Sequence, residues 1–221
     1  MSFLLTKLPS KNTSHKGFSL LECLIGIVVI TIVISAISPP IFLAVGTRIQ
    51  NRRAEQALQL AQGEVDRVRR TVETGNYSDT DLPPEGAAPN TSPQSQNAPG
   101  SADKLPSGKV FPTSATQAAE VDVNGDGNSD FFVQIYRTPG VRNNDSQLMA
   151  FGMGVRVYAY SAKQNFGTLE TTTASLRMTT ALGQQQKRPL AVIYSNVVRS
   201  DTGVSLQCYQ QFLGNGIFKC N

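Results

Sequence analysis

Histidine is nearly missing from this sequence of 221 residues. The one copy is His15, and tryptophan does not occur. Beyond residue 17 no imidazole is available, so that stretch can build neither a Ser-His-Asp or Cys-His nucleophile pair nor a histidine-ligated zinc site. Chemistry by paired carboxylates needs no histidine, yet no acid pair here is set apart by its surroundings. An extracytoplasmic enzyme is therefore the weakest reading. Cysteine is also scarce, with three copies. Cys23 falls in an apolar run, where a lone thiol packs as a small apolar residue. Cys208 and Cys220 bracket a short C-terminal stretch and are natural disulfide partners in an oxidising compartment. A bridge of that loop size stabilises by about 3 kcal/mol in the chain-entropy picture.

Excess charge is scarce too. The formal net charge is +4, but Lys7, Lys11 and Lys16 lie in the first 17 residues, which contain no acid. Without those three, 17 basic residues face 16 acidic ones. The remainder is not broadly basic, which argues against nucleic acid as a partner. The arginines between Arg48 and Arg70 are mixed with Glu55, Glu64 and Asp66, as on a solvated or inter-subunit helix face. No aromatic residues are interleaved with them, as stacking on single strands would require.

What is present begins with a run of 25 residues, Cys23 to Thr47, without a formal charge. As a helix it spans about 37 Å at ~1.5 Å per residue, more than the ~30 Å hydrocarbon core of a bilayer. Pro39-Pro40 interrupts it, and a kink or short melted stretch is expected there. Lysines flank one end and Arg48, Arg52 and Arg53 the other, so charge alone leaves the orientation open. Ala36-Ile-Ser38 has the small-residue spacing of a signal peptidase site, but cutting there would put Pro39 first, which that enzyme class handles badly.

Past the run comes an apolar stripe, Ala54, Leu58, Ala61, Val65, Val68 and Val72, on one face of a helix that should stop near Gly75-Asn76. Residues 76–109 are rich in Pro, Ser, Gly and Asn without apolar period, and read as a long surface loop or partly disordered segment. Strands are expected at Phe131–Thr138, Met149–Tyr160, Thr171–Thr180 and Leu190–Val198. A long helix followed by strands predicts an α+β fold with an antiparallel sheet.

Asp122, Asn124, Asp126, Asn128 and Asp130 place oxygen side chains at alternating positions around Gly127, the spacing of a calcium loop. The position of the bidentate glutamate of an EF-hand is taken by Val133. The alternative is an Asx- and Gly-rich turn leading into the Phe131 strand. Three crowded carboxylates repel without a cation, so Ca²⁺ is the expected cofactor.

Gly17-Phe18-Ser-Leu-Leu-Glu22, at the head of the apolar run, resembles the processing site of type IV pilins and type II secretion pseudopilins. The resemblance implies that a prepilin peptidase cuts after Gly17 and methylates the amine of Phe18. Glu22, the fifth residue after the cut, would then meet the amine of a neighbouring subunit. It also implies a single-pass inner-membrane protein with a periplasmic C-terminal domain, working with other pilin or pseudopilin subunits and an inner-membrane assembly platform to form a filament for motility, adhesion or secretion. The segments follow from it: a cleaved leader at 1–17, a membrane and fibre-core helix at 18–47, an amphipathic helix at 48–75, a variable loop at 76–109 and a β-sheet domain at 110–221. In this family a loop closed by Cys208–Cys220 resembles the disulfide-bounded C-terminal region, and a calcium ion is structural. The tracts Met153–Tyr158, Ala174–Met178 and Arg188–Val192 look similar to pseudopilins of cyanobacterial polysaccharide-secretion systems. From a different class, a membrane-tethered, calcium-dependent glycan-binding module is the competing expectation.

Overall fold

The computed structural model describes residues 17–86, 92–175, 183–200, 203–214 and 219–220. The chain divides into two compact units, Met1–Val45 and Gly46–Asn221.

Helix α1, Leu20–Glu73, begins in the first unit. Ser19 caps it, its hydroxyl accepting the Glu22 amide at 3.2 Å, and Glu22 sits in the first turn, where a carboxylate complements the helix dipole. The melted stretch expected at Pro39-Pro40 does not form, because helix runs through both residues. Two adjacent prolines remove only two amide donors. Nearby, the Ser35 and Ser38 hydroxyls donate to the carbonyls of Thr31 and Ile34 one turn back.

In the second unit α1 buries Ala57, Ala61, Val65, Val68 and Val72. The seam thus passes through Ala57, whereas Leu58 is 43% exposed. Small Ala57 and Ala61 allow the sheet to come close to the helix backbone. After Glu73 the chain turns at Gly75, whose φ of 73° suits a residue without Cβ; its amide donates to the Val72 carbonyl.

The sheet is centred on β5, Leu148–Ala159, all twelve residues of which are buried. On one edge β3, Phe131–Arg137, runs antiparallel from Phe131↔Ala159 to Arg137↔Met153. That edge is continued by β4, Val141–Asn143, after a break at Gly140. Gly140 has φ of 69°, and a Cβ there would lie 2.3 Å from the Ala150 carbonyl oxygen, so only glycine fits. The other edge carries β6, Ala191–Val198, also antiparallel. Outward from β3 lies β2, Gln117–Val121, antiparallel to it.

Two short outer pairs depart from the all-antiparallel expectation. Both β1, Ser101–Asp103, against β2 and β7, Lys219–Cys220, against β4 run parallel. A parallel pair cannot be joined by a tight hairpin, and neither of these strands is joined to its neighbour by one. Helix α2, Ser205–Leu213, stands before β7.

Alternation along β5 and β3 divides the core. Phe131, Val133, Ile135, Phe151, Met153, Val155 and Val157 join the buried seam of α1 in one apolar cluster. The opposite face carries Phe132 and Tyr158 with Ala118, Ala162 and Leu169. Of the strand expected at Thr171–Thr180, residues 171–175 take no strand, making only isolated backbone bonds such as Ala174 to the Pro189 carbonyl. The rest of that stretch lies outside the described residues.

The seam makes a direct prediction for full-length protein in detergent. Ala61→Leu should overpack the helix–sheet contact and lower unfolding stability by about 1–3 kcal/mol. Leu58→Ala should change it by no more than about 0.5 kcal/mol. Denaturant titration of both variants reads the difference, and equal losses would disprove the assigned face.

Candidate functional site: the N-terminal segment and the strap across the sheet

Gly17, Phe18 and Ser19 precede α1 outside any helix or strand, and Phe18 is 79% exposed. Gly17 has open space around the position a Cβ would occupy. Glu22 is exposed, with no ion pair among the described residues. Leu20, Leu21, Leu24, Ile25 and the apolar side chains that follow are exposed as well. Among the described residues α1 is the one helix long and apolar enough to cross a membrane. So large a contiguous apolar surface is stable only against lipid or other protein. The length and composition of α1 are consistent with a membrane-anchoring segment. Cys23, expected to pack, is a free and exposed thiol on that surface.

Cys208 on α2 and Cys220 on β7 are joined in a disulfide with Cα atoms 5.1 Å apart. Both are buried against Val141 and Met149. The bond ties α2 to the last strand, which itself pairs with β4.

The loop from Asp122 to Asp130 is organised by its own amides. The Asp122 carboxylate accepts from Gly125 and Gly127, each at 2.7 Å. Asn124 Oδ1 accepts the Asp126 amide, Asp126 Oδ1 the Asn128 amide, and Asp130 Oδ2 the Val123 amide. The Gly127 bond, foremost among these contacts, holds the Asp122 carboxyl below its usual range. Gly125 and Gly127 take φ of 76° and 87°. Among the described residues no three acidic, histidine or cysteine side chains converge as a metal-binding group. The amide bonds make these side chains a series of Asx turns, with further carboxylate lone pairs left over.

Sequence reasoning missed a heavily bonded group in the domain. Arg156 on β5 is 0% exposed, yet no carboxylate pairs with it among the described residues. Its guanidinium donates to the backbone carbonyls of Gln94 at 3.1 Å, Gln96 at 2.7 Å and Asn97 at 3.3 Å. It also donates to Gln134 Oε1 and the Tyr194 hydroxyl, and lies over the rings of Tyr136 and Tyr194. Gln134 donates to the carbonyls of Asn97 and Ala115, and the Tyr136 hydroxyl to that of Pro93. Burial pushes the Tyr136 and Tyr158 phenols up, so both stay neutral donors. Residues 92–103, within the segment expected to be an irregular or partly disordered loop, are thus an ordered strap ending in β1. The available signal was polar Gln134 and Arg156 among apolar strand residues, beside Gly152 and Gly154.

A second set of contacts fixes residues 79–86. Arg142 on β4 grips the Asp79 carboxylate at 2.7 and 3.1 Å, and buried Arg137 donates to Glu85 at 2.9 Å. Leu82, from the same stretch, is buried in the main cluster.

A long, partly apolar helix packed on a mixed sheet defines a pilin-like α+β architecture. Residues 12–38 match the prokaryotic N-terminal methylation motif, and Gly17, Phe18 and Glu22 fall inside it. This is consistent with the type IV pilin and pseudopilin family in general. No curated protein and no solved structure matches the chain.

The Asp79–Arg142 pair predicts acid sensitivity. The hydrogen bond from Arg142 holds the Asp79 carboxyl below its ordinary value. A depressed carboxyl contributes stability above its unfolded pKa of about 3.9, and the contribution is lost as pH falls through the folded value. Acidification below about pH 4 should therefore speed amide exchange in residues 79–86 ahead of β5. Arg142→Met should remove that acid step, and an unchanged profile in the variant would refute the assignment.

Proposed function

We propose that this chain is a minor pilin or pseudopilin, a non-catalytic structural subunit of a type IV pilus or type II secretion-like filament. The observation that carries the reading is the methylation motif at residues 12–38, directly joined to an exposed apolar helix. Prepilin peptidase cuts after Gly17 and methylates the new amine on Phe18. The mature helix is held in the inner membrane with the C-terminal domain in the periplasm, and an assembly platform then draws it into the fibre core. There Glu22 meets the amine of a neighbouring copy. An unpaired carboxylate inside a bilayer costs about 2.5–3.5 kcal/mol on insertion scales. Pairing with an amine offsets that cost only in one register, so the contact selects how subunits stack.

Secretion is the first role to test, given the similarity of the Met153–Tyr158 and Arg188–Val192 tracts to polysaccharide-secretion pseudopilins. Part of the third tract, Ala174–Met178, lies outside the described residues. Calcium at Asp122–Asp130 is proposed as a structural ion only. The oxygen spacing and the turns at Gly125 and Gly127 support it.

N-terminal sequencing of membrane-extracted protein should begin at methylated Phe18, whereas a start at Pro39 would mean export as a soluble product. Glu22→Ala should leave cleavage intact and reduce incorporation into filaments at least tenfold, read by immunoblot of sheared fibres; unchanged incorporation defeats the pairing mechanism. Calorimetric titration should show heat on adding Ca²⁺, removed by Asp122→Ala. Silence at millimolar Ca²⁺ ends the calcium proposal.

A further inference from the structure

Strand β6 leaves one side of the sheet open. Its register against β5 runs without a shift from Ala150↔Val198 to Val157↔Ala191. The next pair is fixed by the Arg199 amide, which donates to the Met149 carbonyl at 2.9 Å. Alternation along an antiparallel ladder then turns the amides and carbonyls of Ile193, Ser195 and Val197 toward β5. Those of Val192, Tyr194, Asn196 and Val198 face the other way, and among the described residues no backbone group meets them. Natural sheets blunt such an edge with lysine, proline, a bulge or a short strand. Ala191–Val198 carries no charge and no proline over its eight residues, whereas outer strands β1 and β7 have three and two. The stop is felt in the core. Ile193 packs against the main apolar cluster but is only partly buried, as are Val192, Tyr194 and Val198, while every residue of β5 is buried. One further strand would complete their burial.

We infer that the β6 edge is a docking site for an extended segment of another protein, which adds to the sheet as its next strand. A polypeptide backbone offers donors and acceptors at the spacing of the outward residues. The chemistry of the segment follows from the flanks. On the α1 side Arg69 stands over the middle of the edge, its Nη2 donating to the Ser195 hydroxyl at 2.7 Å. Its side chain is half exposed, and its one ion pair among the described residues, with Asp66, is 3.8 Å long. The guanidinium is therefore open to a carboxylate opposite Ser195. Ile193 and Val197 flank Ser195 on that face and favour apolar side chains opposite them. Leu58, about three turns before Arg69 on the same side of α1, adds exposed apolar surface. The occupant is thus a proline-free strand with an acid at its centre and an apolar residue two positions away on each side. A second copy of this chain fits poorly. Among its described residues the edge of equal length is β6 itself, and full overlap sets Ser195 against Ser195 and brings two Arg69 guanidiniums together, a like-charge contact. The inference rests on this edge and holds whether or not the chain enters a filament.

The test uses full-length protein in detergent and the fluorescent peptide Thr-Val-Thr-Glu-Thr-Val-Thr, whose palindromic order presents the same side chains in either strand direction. Binding is read by anisotropy, and the edge by amide exchange. In the protein alone the amides of Val192, Tyr194, Asn196 and Val198 should exchange at least about tenfold faster than those of Ile193, Ser195 and Val197. Saturating peptide should remove the difference. Asn196→Pro deletes an outward donor and no bond to β5, so it should weaken binding at least about tenfold while β5 stays protected. Replacing the peptide's glutamate by lysine should weaken binding about fivefold for the native protein, and much less for Arg69→Met, which leaves the core untouched. Methylating the amide nitrogens of the threonines, or those of the valines and glutamate, blocks one side of the peptide or the other. One set should abolish binding and the other leave it largely intact. Protection of the outward amides in the protein alone would mean that its own chain or a second copy already covers the edge, and would overturn the inference. So would no binding at millimolar peptide, equal loss with both methylated peptides, or native affinity in Asn196→Pro.

Discussion

A guanidinium taken out of water and given no carboxylate must find oxygen elsewhere, and Arg156 finds it in backbone carbonyls. All three of its nitrogens donate, and the guanidinium carbon lies over the rings of Tyr136 and Tyr194. Leaving such a charge unpaired in a buried site costs several kcal/mol, so the strap is a condition of the fold and not a decoration on it. The demand runs both ways. A segment of Pro, Ser, Gln and Asn has too little apolar surface to order itself. It is ordered because β5 supplies the donors its carbonyls need. The central strand is consequently covered on both faces, by α1 on one side and by the strap on the other.

The helix resolves a similar conflict by dividing its length. From Gly46 on it is an ordinary amphipathic helix, with small residues and valines against the sheet and arginines outward. Before that it has no polar face, and its surface is apolar around the whole circumference. A helix greasy on all sides is satisfied only by lipid or by close packing with other helices. Glu64 shows how strictly the second half is packed. Its carboxyl is pushed up by burial, partly offset by Arg67, whose Nη1 lies 2.8 Å away.

Much of the fold was legible where the signal was local. Alternation placed the strands at Phe131 and Met149 within a residue or two, and Gly75 marked the helix stop because left-handed backbone favours glycine. The segment Gly17–Glu22 could be read because its meaning lies in adjacent residues. The two later cysteines could be paired because no other candidate lies outside the apolar run. The strap could not be read this way. Its order comes from an arginine some 60 residues further on, and composition alone describes an isolated chain, not one with donors waiting above it. Leu58 was misplaced for a related reason, since a stripe read from spacing does not show which of two neighbouring positions the sheet approaches. The parallel outer pairs were hidden too, because a two- or three-residue strand leaves no period to detect.

Those short outer strands fit a protein that exposes much else. A sheet edge is a template for another chain, and native sheets blunt it with brief or covered strands. Here β1 has three residues and β7 has two. The first is the end of the strap clamped by Arg156, and the second is held by the Cys208–Cys220 bond. Each of these two strands therefore depends on an anchor elsewhere in the domain, one made of hydrogen bonds and one covalent, while the eight residues of β6 close the opposite side of β5. The first stretch of α1 exposes its apolar side chains as well, and a surface of that kind is adhesive toward lipid or other apolar helices.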